Sequence, residues 1–228
     1  MKNRVRIQRI IVFTVAVTAI FFPRIMSPEW KVETMDQVMD ALGITLVLFG
    51  FLFRISARGY KEENSLSGKN MVKDGPYAFV RNPMYLGTFL IGFGIIFVLF
   101  KIWTSVLFLS VFLLIYIPQV KKEEAALSRL FSEEYRDYRK TVPRFFPGPL
   151  QLLNIADYII LKPSWIKKEF ISLVATFILI IAIEVRNDIG LFGYQEFYKE
   201  PVELSLVILL FVAISFLLIK RGTTSIKH

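Results

Sequence analysis

The sequence predicts an all-α fold, a polytopic transmembrane helical bundle of about six spans with cytosolic amphipathic helices. Three observations predict it. The 228-residue chain is 54% hydrophobic and 15% aromatic, with 22 Phe and only 21% charged residues; a water-soluble domain of this size seldom needs so much apolar surface. Uncharged residues gather into six runs, 10–23, 41–53, 82–100, 102–120, 170–183 and 204–219. If the chain starts inside and alternates sides, 23 of its 28 Lys and Arg fall on the inner side, leaving Arg24, Lys31, Lys101, Arg186 and Lys199 outside. That is the expected sense of the positive-inside rule, and it places both termini in the cytoplasm.

The first run has a basic start and an apolar centre. It lacks a small-x-small cleavage site before Pro23, so a retained anchor is expected. The third and fourth runs are about 19 residues each, long enough to cross the hydrocarbon. Lys101 alone separates them, which predicts a tight antiparallel hairpin, with Gly87, Gly92 and Gly94 allowing close backbone approach there. Gly92-x-Gly94 is no phosphate loop, because no strand precedes it and no third glycine follows.

The third run opens on GPYAFVRNPMYLG, residues 75–87. A helix start at a membrane surface accounts for much of it: Arg81 snorkels, Pro83 begins the helix and Tyr85 sits at the interface.

Residues 119–168 form the largest segment between spans. Leu127, Phe131, Tyr135 and Tyr138 recur at helical spacing, and Glu124 projects near the middle of that stripe, while Glu123 falls to one side. A carboxylate on a buried face is costly unless paired. Glu124 is therefore the acid singled out, either for a ligand or for a salt bridge with a neighbouring helix. Ser132 followed by Glu133 and Glu134 resembles an N-cap, so two helices meeting there and one continuous rod both remain open. VPRFFPGP, residues 142–149, ends the helix and holds Arg144 between Pro143 and Phe145, as a lipid-phosphate anchor or as a fixed cation for an anionic ligand. Residues 151–168, with Lys162, Trp165, Lys167 and Lys168, read as an interfacial segment.

Several chemistries are excluded. There is no Cys, and the one His is His228, so thiolate nucleophiles, His general bases and Cys- or His-ligated metals have no residues to work with. The net charge of +9 comes with no nucleic-acid motif, which makes the bilayer surface the expected partner.

The segments GPYAFVRNPMYLG, EEAAL, FSEEYRDY and VPRFFP occur in that order within residues 38–149. Together they resemble the isoprenylcysteine carboxyl methyltransferase family and its phospholipid-methyltransferase relatives. The resemblance implies an integral-membrane methyltransferase using S-adenosylmethionine, with no metal and a lipophilic small-molecule or lipid-modified substrate. It implies a methyltransferase core at 38–149, after an N-terminal anchor span and outer loop at 1–37 and before an interfacial segment and two further spans at 150–228. Arg81, Asn82, Pro83 and Tyr85 would line the cofactor pocket, with Leu86 and Gly87 beside them and Tyr77 flanking adenine or ribose. Glu124 would hold a charged end of cofactor or substrate, and Arg144 would lie close to the reacting group, so that Arg81, Glu124 and Arg144 carry the catalytic role. Asn82 stands where many members have His, and Ser132 where Gly is usual; Asn hydrogen-bonds but does not shuttle a proton near neutral pH. A membrane NADPH-dependent reductase of related architecture, sharing an R-H-P-x-Y-like element but not the VPRFFP ending, and a non-catalytic protein retaining the fold are the alternatives.

Overall fold

The computed structural model describes residues 33–192, so the first and sixth runs and both termini lie outside the described residues. The described residues are helical without a strand: α1 (Glu33–Asn64), a 3₁₀ turn (Leu66–Gly68), α2 (Pro76–Phe79), α3 (Pro83–Leu99), α4 (Thr104–Thr141), α5 (Pro149–Leu153), α6 (Ile155–Tyr158) and α7 (Pro163–Phe192). Two stretches are long and apolar enough to cross a membrane, Val38–Asn64 of α1 and Thr104–Thr141, while α3 is a shorter apolar helix. The run 170–183 lies within α7.

The core lies where α1, α3 and α7 meet, around Val47, Phe51, Ile96, Leu99, Phe177 and Ile180. The α1–α3 contact is close because two glycine pairs oppose each other. A Cβ on Gly50 would stand 2.6 Å from the Gly87 carbonyl oxygen, and one on Gly87 would stand 2.6 Å from that of Gly50. Gly43 and Gly94 oppose each other in the same way. Gly87 and Gly94 therefore serve α1 rather than the expected α3–α4 hairpin. They are seven residues apart, two helical turns, and so share one face with their partners seven apart on α1. Gly92 alone faces α4, against the ring of Phe108. Aromatic rings fill the rest of that hairpin, with Phe89 centred 5.9 Å from Phe108 and 5.2 Å from Phe112.

Apolar side chains also point outward. Val106 and Leu114 of α4 and Ile171 of α7 are 69%, 76% and 79% exposed. Such a face suits hydrocarbon better than water.

Past the apolar part of α4, Glu124, Tyr135 and Tyr138 are buried and Leu127 and Phe131 half-buried, the stripe that the spacing predicts. Helical assignment is continuous through Ser132, but that residue has φ 33° and ψ −99°, so the rod is broken there and its last turns are re-aimed.

Residues 159–165 pack inward against the helices. Ile159, Leu161 and Trp165 are buried against Phe53, Phe79 and Val80. The polar edges of the segment are satisfied inside: the Ile160 amide donates to Ser56 Oγ at 2.9 Å, and the Trp165 indole donates to Glu63 Oε1 at 2.7 Å. Lys162 pairs with Glu63 and Lys168 with Glu62, fastening the start of α7 to the end of α1.

Candidate active site

The turn at Gly75, with φ 58°, starts the short helix α2, after which Val80 is extended and the chain re-enters a helix at Pro83. Asn82 is the N-cap of α3, yet its side chain makes no capping bond. Its amide instead donates to Glu124 Oε1 and to the Arg144 carbonyl oxygen, each at 3.3 Å. One residue earlier, the Arg81 amide donates to the Pro143 carbonyl oxygen at 2.8 Å. Main-chain and side-chain bonds thus sew GPYAFVRNP directly to VPRFFP.

Glu124 is the hub. Its side chain is 9% exposed, and both of its oxygens are engaged. Arg144 donates from Nε to Oε1 at 3.1 Å and from Nη2 to Oε2 at 2.7 Å. Arg81 Nη1 lies 3.7 Å from Oε1, within ion-pair range but too far for a hydrogen bond. Glu123, which the helical projection sets aside, is also held: the Tyr85 hydroxyl donates to its Oε1 at 2.6 Å and the Gln119 amide at 2.7 Å.

These groups line a cavity of about 300 Å³. Tyr77, Arg81, Asn82, Pro83 and Tyr85 form one wall, and Glu123, Glu124, Leu127, Phe131, Tyr135 and Tyr138 of α4 form another. Residues of the loop after α1, among them Asn70, Met71 and Val72, close a third side. The Tyr138 hydroxyl donates to the Tyr77 carbonyl oxygen at 2.7 Å and ties the first two walls together. Burial, with a smaller contribution from Glu123, pushes the Tyr77 phenol well above its usual range, so it remains a protonated donor.

Three of the sequence-predicted residues lie elsewhere. Gly87 faces α1. Leu86 lines a second, wholly apolar cleft with Phe89, Phe112, Leu113, Phe145 and Phe146. Arg144 stands behind Glu124 rather than among the lining residues, and hydrogen bonding to Glu124 raises its already high pKa. Tyr85 lines both the polar cavity and the apolar cleft.

Sequence reasoning left Glu123, Tyr135 and Tyr138 out of the site. The signal for the two tyrosines was present, because they continue the stripe that also carries Leu127 and Phe131.

Residues 34–134 match the family described as phospholipid methyltransferase. This segment is similar to the phospholipid methyltransferase family. It carries α2, α3, most of α1 and α4, and both glutamates, whereas Tyr135, Tyr138 and Arg144 lie just past it. The chain is 36% identical over 77 residues to a protein-S-isoprenylcysteine O-methyltransferase of Schizosaccharomyces pombe, covering 34% of this chain and 33% of that protein. It is 27% identical over 136 residues to the Mus musculus protein of the same name, covering 56% and 45%. It is also 28% identical over 149 residues to the nickel-cobalt-cadmium resistance protein NccN of Alcaligenes xylosoxydans xylosoxydans, covering 64% and 65%. The match thus spans a third to under half the length of the two methyltransferases. No solved structure matches the chain.

Proposed function

We propose that this protein is a multi-pass membrane enzyme of the phospholipid methyltransferase family that moves a methyl group from S-adenosylmethionine to a lipophilic acceptor. One observation carries the reading: Tyr85 is the shared wall of a polar cavity and an all-apolar cleft. A water-soluble donor in the first and a hydrocarbon chain in the second would meet at that ring. The cavity is at the small end of the range usual for small-molecule sites, roughly 300–1,000 Å³. Its buried cations, carboxylates and phenols suit a zwitterionic nucleoside.

The methyl donor supplies an activated sulfonium, so the chain's task is to position reactants and exclude water. Tyr77 and Tyr85 offer rings to the adenine or ribose. Glu123 and Glu124 give the wall negative charge for an ammonium. Arg144 and Asn82, both bonded to Glu124, keep that carboxylate fixed. Leu86, Phe89 and Phe112 border the space for an acyl or prenyl chain. An amine acceptor would have to lose a proton without help from histidine, which favours an anionic or thiolate acceptor. The 23-to-5 division of Lys and Arg supports cytoplasmic termini, with the cavity opening to the cytoplasm.

The test uses the full chain in detergent or nanodiscs. S-adenosylhomocysteine is expected to bind by calorimetry and NADPH is not; radiolabelled donor is expected to label prenylcysteine or a small thiol. Label confined to phosphatidylethanolamine would reverse the acceptor assignment. NADPH binding in place of the nucleoside would replace the reading with a reductase.

A further inference from the structure

Two helices fix where the segment after α4 lies relative to a bilayer. About 20 residues, rising about 1.5 Å each, carry a helix across roughly 30 Å of hydrocarbon. Counted from Thr104, the start of α4, the far edge falls near residues 120–124. There the uncharged run gives way to Lys121, Lys122, Glu123 and Glu124. In α1 the uncharged run ends at Phe53, with Arg54 next.

The chain leaves that edge along α4, bends at Ser132 and returns to it. Phe145 packs against Phe112, Tyr116 and Val120, in the last turns of the uncharged part of α4. Farther on, Ile155 and Tyr158 pack with Phe53 and Phe79, and the Ile160 amide bonds to Ser56. Residues 145–155 therefore run from α4 to α1 along the edge of the hydrocarbon.

On this stretch the arrangement usual in water is reversed. Phe146, Leu152 and Leu153 point outward, 79%, 52% and 81% exposed. Gln151 faces the protein: its amide donates to the Ala78 carbonyl oxygen at 3.3 Å, and its Oε1 accepts from the Gly148 amide at 2.8 Å. Apolar groups outside and polar groups inside suit hydrocarbon and are costly in water. The patch continues the outward apolar face of α4, since Phe146 lines the apolar cleft together with the exposed Leu109 and Leu113. The exposed side chains that follow, Asn154 and Asp157, are polar, which keeps the insertion shallow.

We infer that residues 145–153 form an in-plane foot that inserts Phe146, Leu152 and Leu153 into the acyl chains of the leaflet nearer the polar cavity. The contact is made by apolar side chains ahead of the basic stretch, whose Lys162, Trp165 and Lys168 are tied to Glu62 and Glu63. Because the foot follows directly on Arg144, it sets the depth of the cation that holds Glu124. The inference rests on the membrane reading of this protein and not on its reaction.

The chain has no Cys, so a single introduced thiol carries a dye without competition. Phe146→Cys and Leu153→Cys of the full chain are labelled with an environment-sensitive fluorophore in phosphatidylcholine–phosphatidylglycerol nanodiscs. Quenching by nitroxide lipids is compared with quenching by aqueous iodide. Leu114→Cys, on the outward apolar face of α4, is the hydrocarbon reference, and the exposed Glu133→Cys is the water reference. At both foot positions a nitroxide high on the acyl chain is expected to cut emission about twofold, and one near the chain end to cut it less. Iodide is expected to act no more strongly than at Leu114. Iodide quenching as strong as at Glu133 at either position would overturn the foot. Protection from both quenchers would mean that another part of the protein or a second copy covers the patch, and would overturn it equally. A Leu114 label that itself behaves like Glu133 would remove the membrane reading and the foot with it. Leu152→Cys is read in place of either variant that fails to melt like wild type.

Discussion

Arg144 holds both oxygens of Glu124, a residue 20 positions earlier in the chain, from a segment whose backbone is itself bonded to Arg81 and Asn82. The acid therefore organises three pieces of chain at once. Glu124→Gln replaces the carboxylate between two guanidiniums with an amide that can accept only at one end. Arg144 is 38% exposed, so water relieves part of the loss; the expected destabilisation is about 1–3 kcal/mol, with methyl transfer abolished. Arg144→Lys keeps the charge but cannot make both bonds, and it is expected to behave like Arg144→Ala in transfer assays. Full activity in the lysine variant would show that charge alone is needed.

The glycine contact between α1 and α3 sets the floor beneath this site. Gly87 is only two residues from Tyr85, and a methyl group on it would meet the Gly50 carbonyl oxygen at 2.6 Å and Arg54 Cγ at 2.8 Å. Backbone cannot yield as a side-chain tip can. Gly87→Ala is expected to cost about 1–3 kcal/mol through overpacking and to shift α3 along with Tyr85. Thermal unfolding in micelles measures the first effect, and donor affinity the second. Gly92→Ala meets a phenylalanine ring instead and should cost less.

Ser132 offers a prediction of the opposite sign. Its φ of 33° lies where side chains are strained and glycine is free, and it is exposed. Ser132→Gly is expected to stabilise the folded protein by roughly 1 kcal/mol, after the entropy that glycine itself loses. Denaturant unfolding of the two proteins side by side checks this. A drop in stability would mean that the serine hydroxyl supports the bend.

Much of this architecture was legible in the residues. The stripe through Leu127, Phe131, Tyr135 and Tyr138 is a periodicity, and periodicity survives folding because it belongs to one helix. Burial of Glu124 followed from its place in that stripe. What could not be read was which element faces which. Gly87 and Gly94 announce a close approach without saying to whom. Arg144 announces a fixed cation, but only the fold shows that Glu124 occupies it. Trp165 and its lysines look interfacial in isolation because their partners, Glu62 and Glu63, lie about 100 residues earlier. Tyr135 reads as one more core aromatic until its hydroxyl is found without a partner.

The α1–α7 junction joins the family segment to a helix outside it and yields the last prediction. Glu169 is 2% exposed and lies between Arg58 Nη1 at 2.8 Å and Arg54 Nη2 at 3.1 Å. Arg54 also donates to Thr88 of α3 at 3.2 Å, so one carboxylate binds α7 to α1 and, through Arg54, to α3. Glu169→Gln takes the counter-ion from Arg54 and leaves Arg58 only the more exposed Glu62, at 3.4 Å. Both arginines are partly open to solvent, and the expected cost is about 1–3 kcal/mol, below that of a fully buried pair. No atom of this cluster lines the polar cavity. Affinity for S-adenosylhomocysteine in the folded variant is therefore expected to match wild type while its melting temperature falls. Loss of affinity at an unchanged melting temperature would mean that the junction communicates with the cavity through Thr88 and α3, instead of only holding α7 in place.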